Sequence, residues 1–453
     1  MHKKKYHFIG IGGIGMSGLA EVLLNLGHQV CGSDAKLTPL TQRLQGLGAK
    51  IFEGHAASHV PKDTDIVVIS SAIHSDNPEL ICAKEYRLPI LTRGQLLADL
   101  SKSKKSIVVG GAHGKTTTSS LVAMILESAG FDPTAIIGGR VRGLGSNAKL
   151  GHGDYLVAEA DESDGSFLRL SPLHAIVTNI DFEHADFYKD LPHIKRAFTD
   201  FLLKVSPEGS VIVCSEDKNI RDILPNVQRK IIRYGLSLEN DYRATHLSFS
   251  ESSTEFDCEF QGRKLARIKT PLSGEHNVLN CLAAIAAARE LNISISDIQK
   301  ALLEFSGVER RFHRKGEKNN VLVLDDYGHH PSEIQATLSA CKRCWPNRRL
   351  ITVFQPHRYT RTKALFSEFV KCFRETNLLI LTDIYAASES PISGVSAEKL
   401  AAQIRKQGVE VFYEALLSKI PILLKTMVKP GDVLLTLGAG NIFTVGEKFL
   451  END

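Results

Sequence analysis

Short apolar runs recur along the chain, each closed by glycine or a polar turn and followed by apolar residues at helical spacing. Uninterrupted runs of this kind suit strands buried on both faces, so the pattern predicts parallel sheets with helices between the strands. Tyr6–Ile11 is the first such run; it breaks into glycines over Gly10–Gly15 and passes into an apolar-periodic helix, Met16–Leu26. Strands are expected at His28–Gly32, Ile66–Ser70 and Pro89–Leu91, and the lysine-rich stretch Ser101–Ser106 reads as a linker. A second series starts at Ile107–Val109 and continues with Ala135–Ile137, Tyr155–Ala158, Ala175–Thr178 and Val211–Cys214. Within 243–268 the rhythm changes. Thr245, Leu247 and Phe249, then Phe256, Cys258 and Phe260, alternate with the period of two expected of an antiparallel hairpin. Asn277–Leu291 is an alanine-rich helix, and after Gly307 a third series follows at Val321–Leu324, Leu350–Phe354, Leu378–Leu381, Val409–Phe412 and Val433–Leu437.

This pattern predicts three α/β domains in series. They are a Rossmann-like N-terminal domain over 1–102, a central phosphate-loop ATPase-type domain over 103–307, and a Rossmann-like C-terminal domain over 308–453. A length of 453 residues accommodates several cores, and 43% hydrophobic with 23% charged residues is ordinary for a globular protein. The net charge of +4 does not argue for nucleic acid, and no apolar run approaches a membrane span. The basic Met1–Lys5 meets glycines without an apolar signal region, so a cytoplasmic location is expected. Eight scattered cysteines, Cys341-x-x-Cys344 among them, read as buried free thiols rather than a metal or redox site.

The chemistry concentrates in glycine loops and strand ends. Ile107–Leu121, I-V-V-G-G-A-H-G-K-T-T-T-S-S-L, has the strand–loop–helix order of a phosphate-binding loop, in the short form Gly111-x-x-Gly114-Lys115-Thr116-Thr117. Lys115 would reach the β- and γ-phosphates of ATP or GTP, and Thr116 would sit on Mg²⁺. Gly10-x-Gly12-x-x-Gly15 with Asp34 is the dinucleotide fingerprint in its proper context. It demands only a pyrophosphate at a helix N-terminus, so NAD and a UDP-sugar satisfy it equally. Directly after an apolar run comes E-A-D-E-S-D-G-S-F, where Glu159 is placed to hold Mg²⁺, while Glu162 and Asp164 suit turn, cap or substrate roles. His184, beside Asp181 and Glu183, is equally suited to a second cation and to a structural role. In the third series, D-D-Y-G-H-H-P (Asp325–Pro331) and F-Q-P-H-R-Y-T-R-T (Phe354–Thr362) follow strands, and Arg358 with Arg361 could clamp a carboxylate.

Taken in order, G-I-G-G-I-G-M-S-G-L-A, S-S-A-I, H-G-K-T-T-T, E-A-D-E-S-D-G-S-F, T-N-I-x-x-x-H, H-N-V-L-N, E-R-R-F, D-D-Y-G-H-H-P and H-R-Y-T-R-T resemble the Mur ligase family across essentially the whole chain. The likeness is greatest to its alanine-adding branch. This resemblance implies UDP-sugar-, ATP- and amino-acid-binding domains acting on UDP-N-acetylmuramate, L-alanine and ATP, with two Mg²⁺ ions. Gly12, Gly13, Gly15, Asp34 and Ser71 would then face the UDP moiety. Gly111, Ala112, His113, Gly114, Lys115, Thr116 and Thr117 would hold the ATP phosphates. Asn277 and Asn280 would contact adenine, and Asp326 the ribose region. Thr116, Glu159 and His184 would complete the cation sites, with Lys115, Glu159 and His184 as the catalytic set. Tyr327, His329, Arg358 and Arg361 would position L-alanine. The chain departs from the family pattern at Ala112, often threonine in relatives, and at Asn441, where G-A-G-D is common. The carbamoylated lysine of some family members has no counterpart among Ala197, Phe198 and Thr199, which agrees with the alanine-adding branch. Rival readings are a murein-tripeptide recycling ligase of the same family, a NAD-dependent oxidoreductase built on the first domain, and a non-catalytic nucleotide-binding regulator.

Overall fold

The computed structural model of the chain describes residues 3–451 except 71, 142–145 and 184–186. Two compact units emerge. One gathers Met1–Thr245, Asp257–Ile268 and Leu279–Ser306; the other gathers His246–Phe256, Lys269–Val278 and Gly307–Asp453.

In the first unit, β1 (Lys5–Ile9), β2 (Gln29–Asp34), β3 (Lys50–Glu53), β4 (Ile66–Ile69) and β5 (Ile90–Thr92) form a sheet. Their order is β3-β2-β1-β4-β5, with every pairing parallel. Strand order reverses at β1, and in such sheets ligands bind outside the carboxyl ends at the reversal. There the chain leaves β1 through Gly10–Gly13 and enters the helix Ile14–Asn25. A buried carboxylate braces the sheet beneath: Glu79 accepts from Ser33 Oγ at 2.8 Å and pairs with His7 Nε2 at 2.6 Å.

The second sheet comprises β6 (Lys105–Gly110), β7 (Thr134–Val141), β8 (Ser146–Lys149), β9 (Tyr155–Glu159), β10 (His174–Val177), β11 (Ser210–Cys214), β12 (Ile231–Gly235), β13 (Tyr242–Phe249), β14 (Thr254–Phe260) and β15 (Arg263–Thr270). Its order is β15-β14-β13-β12-β11-β10-β6-β9-β7-β8. Parallel neighbours β10 and β9 flank β6, and Ile107, Val108 and Val109 are wholly buried. The interior position explains the unbroken I-V-V run. It also means that three strands deliver their following loops to one edge. The expected linker Ser101–Ser106 is a correction: a helix runs to Ser101 and β6 starts at Lys105. The expected hairpin is a run of three strands. Its third member, R-K-L-A-R-I-K-T, is too charged to announce itself.

In the second unit, β16 (His313–Lys318), β17 (Val321–Asp326), β18 (Leu350–Phe354), β19 (Leu378–Leu381), β20 (Val411–Tyr413) and β21 (Val433–Leu437) are ordered β16-β17-β21-β18-β19-β20. All pairings are parallel except β16 with β17. Alternate residues of β17 enter two different cores: Leu322 and Leu324 join Trp345 and Phe354 on one face, while Val321 and Val323 join Ile420 and Phe449 on the other. Burial on both sides is why the strand reads as continuously apolar. β16, H-R-K-G-E-K, was invisible to that criterion because it is a polar edge strand. All eight cysteines are free thiols, seven buried and Cys31 half-buried. Among the described residues no helix is long and apolar enough to cross a membrane.

Candidate functional site

The phosphate loop hangs from the carboxyl end of β6 and opens into the helix Lys115–Ser128. Gly111 has φ +129°, and a Cβ there would come within 2.2 Å of Thr178 Oγ1. Only glycine meets both conditions. The residues after β10 lace the loop in place. Ala112 N donates to Asn179 O at 3.2 Å, His113 N to Asn179 Oδ1 at 2.8 Å, and Thr178 Oγ1 to His113 O at 2.5 Å. The loop backbone is thereby fixed, with or without the hydroxyl that Ala112 lacks.

β9 is in register with β6 so that Glu159 lies opposite Val109. Its carboxylate accepts from Thr116 Oγ1 at 3.2 Å, Ser119 Oγ at 3.2 Å and Gly138 N at 2.6 Å. A hydroxyl and a carboxylate oxygen side by side are the hard oxygen donors that Mg²⁺ prefers, so Thr116 and Glu159 fit such an ion. Lys115 Nζ donates to Glu162 Oε1 at 2.8 Å and to Ala112 O at 3.1 Å. Burial opposes the Lys115 charge, yet Glu162, Glu183 and Asp161 together hold its pKa above the ordinary value. Burial pushes Glu162 up to about 7, with Lys115 opposing the rise and Asp161 adding to it. Two residues beyond the expected set thus join the loop: Asn179, and Glu162, which opens the turn closed by Gly165 N at 3.1 Å, as expected, and is in addition a buried partner of Lys115. The sequence signal for Asn179 was T-N-I; Glu162 had none beyond its acidic neighbours. Asn280 also reaches the loop, accepting from Thr118 Oγ1 at 3.1 Å. His184 and Ser71 lie outside the described residues.

At the fingerprint loop, Asp34 Oδ2 accepts from Gly12 N at 2.8 Å. Gly13 caps the following helix, and Gly15, in its first turn, lies against Arg93. Nothing in the sequence around Arg93 marks it as a partner of this loop.

In the second unit, Tyr327, His329, Arg358 and Arg361 come together at the carboxyl ends of β17 and β18. The rings of Tyr327 and His329 meet edge to face at 5.4 Å, His329 and His357 are 5.9 Å apart, and His357 stacks on Tyr385 at 5.5 Å. Arg361 Nη1 lies 3.2 Å from His357 Nδ1. Burial drives the His357 pKa down to about 3, and His329, Arg361, Arg358 and Arg310 reinforce the shift. Neutral His357 can therefore accept from Arg361. Arg310 and Arg311 lie over the Tyr327 ring at 5.0 and 5.1 Å. Arg310, Arg311 and Arg358 pair with Asp325, Glu333 and Glu389 at 3.3, 3.8 and 3.8 Å, so a carboxylate ligand would compete with these side chains for the guanidinium groups. Arg358 has φ +71°, a strained conformation for a residue with a Cβ, of the sort concentrated at ligand sites. Asp326 is buried and accepts from Phe312 N and Gly328 N, each at 2.7 Å. Burial raises it to about 6, against the pull of Arg311. Asn277 is buried and donates to Ser273 O at 2.7 Å.

A phosphate-binding type of loop, a second glycine loop and a cluster of arginine and histidine side chains, each at the carboxyl ends of strands in one of three sheets, are the parts an ATP-dependent ligase requires. Family descriptions agree along the chain: "Mur ligase family, catalytic domain" matches residues 5–105, "Mur ligase middle domain" 109–288 and "Mur ligase, glutamate ligase domain" 310–440. The chain belongs to the Mur ligase family. It is 53% identical over 449 residues to the UDP-N-acetylmuramate–L-alanine ligase of Geotalea uraniireducens (strain Rf4), covering 99% of this chain and 98% of the relative. The enzyme of the same name from Geobacter sulfurreducens is also 53% identical over 449 residues, covering 99% and 97%. Among solved structures, the UDP-N-acetylmuramate–alanine ligase MurC of Thermotoga maritima superposes with a TM-score of 0.86 at 30% identity, covering 99% of both chains. A murein peptide ligase from Psychrobacter arcticus gives a TM-score of 0.73 at 26% identity, covering 99% of this chain and 98% of that one.

Proposed function

We propose that the protein joins L-alanine to the carboxylate of UDP-N-acetylmuramate at the expense of ATP, releasing ADP and phosphate, as a step in peptidoglycan precursor synthesis. The observation that supports this reading best is full-length identity of 53% to relatives bearing that activity in their names, together with Lys115, Thr116 and Glu159 at one sheet edge.

The residue chemistry accounts for each step. The loop over 111–117 binds the triphosphate, and Lys115 neutralises charge on the γ-phosphoryl group as it moves to the muramoyl carboxylate. The product is an acyl phosphate and ADP. The amine of alanine then forms the C–N bond to the acyl carbon, and the tetrahedral intermediate collapses by breaking the acyl C–O bond to phosphate, which leaves as the nitrogen gives up its proton to solvent or to the departing phosphate. Arg358 and Arg361 hold the carboxylate of alanine so that its amine is oriented for attack. Mg²⁺ held by Thr116 and Glu159 would supply further charge neutralisation; His184 is its third expected ligand. Gly12, Gly13, Gly15, Asp34 and Ser71 are assigned to the UDP moiety, Asn277, Asn280 and Asp326 to the adenosine, and Tyr327 and His329 to alanine.

Phosphate release from ATP, measured across amino acids with and without UDP-N-acetylmuramate, tests the assignment. Release is expected only when UDP-N-acetylmuramate and alanine are both present. Release driven by the L-alanyl-γ-D-glutamyl-diaminopimelate tripeptide instead of alanine would favour the recycling ligase. Nicotinamide absorbance changes without phosphate release would favour an oxidoreductase.

A further inference from the structure

Arg93 lies between the first turn of the helix Ile14–Asn25 and the acidic turn after β9, both within the first unit. Its backbone is fixed: it opens the helix Arg93–Ser101, whose cap Thr92 and third residue Gln95 form a reciprocal capping box. Its side chain runs along the first turn of the helix Ile14–Asn25. A Cβ on Gly15 would lie 3.0 Å from Arg93 Cδ and 3.1 Å from Arg93 Nη1. The other guanidinium nitrogen, Nη2, donates to Asp161 Oδ2 at 2.5 Å. Asp161 belongs to the acidic turn after β9 and is held by a bond from Ser163 N at 3.0 Å. The next residue, Glu162, is the partner of Lys115. Two further contacts fix this geometry. Asn147 Nδ2 donates to Ile14 O at 2.6 Å, and Gly94 packs so tightly on Ser166 that a Cβ there would come within 2.2 Å of Ser166 Cβ.

Resting on the proposed binding of UDP-N-acetylmuramate, we propose that Arg93 binds the pyrophosphate of the nucleotide sugar and that Asp161 is the counterion which that pyrophosphate partly replaces. The fingerprint loop presents backbone N–H groups at a helix N-terminus, which attract a pyrophosphate but carry no full positive charge. A guanidinium beside Gly15 supplies that charge and, being planar, can bridge two phosphate oxygens. Neither a lysine on a flexible stem nor a plain inter-domain ion pair does the same. A pair whose only task is to join the two domains should matter equally to every ligand of the first domain. A pyrophosphate ligand should matter only to ligands that carry one.

Binding of uridine, UDP and UDP-N-acetylmuramate to the full-length protein, by calorimetry, distinguishes these cases. Arg93→Gln is expected to weaken UDP and UDP-N-acetylmuramate at least tenfold and to leave uridine unchanged. Arg93→Lys should recover part of the loss. Asp161→Asn, which frees the guanidinium, should bind UDP at least as tightly as the wild type. Equal loss of uridine and UDP in Arg93→Gln, unchanged UDP binding in that variant, or a loss of UDP affinity in Asp161→Asn would each overturn the proposal. Failure of the wild type to bind UDP-N-acetylmuramate would instead overturn the proposed function.

Discussion

Glu162 offers a test in which charge, burial and loop function meet. Its side chain is 4% exposed and its partner Lys115 19%, so water screens the pair weakly. Burial lifts the carboxyl from 4.5 to about 7, Lys115 pulling the other way. An acid raised in the folded state binds more protons there than in the unfolded chain. Its stabilisation is complete below the unfolded value of 4.5 and disappears as pH climbs through about 7. At about 1.4 kcal/mol per tenfold change in proton affinity the effect amounts to ~3 kcal/mol at most, of which about 2 kcal/mol falls between pH 5 and 7.5. Glutamine keeps the shape and the oxygen facing Lys115 but cannot titrate. Glu162→Gln should therefore gain about 2 kcal/mol on the wild type over that interval, read from urea unfolding by far-UV circular dichroism at several pH values. Trp345, the chain's one tryptophan, lies in the second unit, and its fluorescence transition serves as an internal reference. Parallel stability curves for the two proteins would refute the reasoning, since they would mean that Glu162 titrates alike folded and unfolded.

Lys115→Ala removes the ammonium that faces the phosphates, and alanine-dependent phosphate release should fall at least ~10³-fold; turnover within tenfold of wild type would remove Lys115 from the chemical step. Arg358→Ala and Arg361→Ala should each raise the KM for alanine ~10-fold or more while leaving the KM for ATP nearly unchanged, and an unchanged alanine KM in both would dismiss the clamp. Gly111→Ala must place a Cβ 2.2 Å from Thr178 Oγ1 at φ +129°, so a loss of ~2–4 kcal/mol in stability and a weakened affinity for ATP are expected. Wild-type values for both would show that the loop relaxes at no cost.

The sheets were legible because parallel strands covered on both faces leave an unmistakable trace in one dimension. Val321–Leu324 needs no partner information to be recognised, since every side chain enters one of two cores. Strands that lack such cover left no trace: H-R-K-G-E-K at β16 is held by backbone pairing to β17, and K-I-F-E at β3 by pairing to β2. The same distinction governs the sites. Lys115 and Thr116 could be named from the glycine loop that follows an apolar run, and Glu159 because it follows one directly; the register of β6 with β9 then brings these strand ends together in space. Asn179 and Glu162 serve that same sheet edge, and Arg93 the fingerprint loop, but their partners come through tertiary contact, at sequence separations no local pattern encodes. Arg93 meets Asp161 across 68 positions, and Asn179 meets His113 across 66. Glu162 shows the physical reason. In E-A-D-E-S-D the acidic residues look alike on paper, yet Asp161 is pulled below the ordinary carboxylate range by Arg93 and Ser163, outweighing burial, whereas burial pushes Glu162 above it. Neighbours one residue apart acquire opposite proton affinities from the partners the fold gives them, and that difference lets one turn serve both a guanidinium and an ammonium.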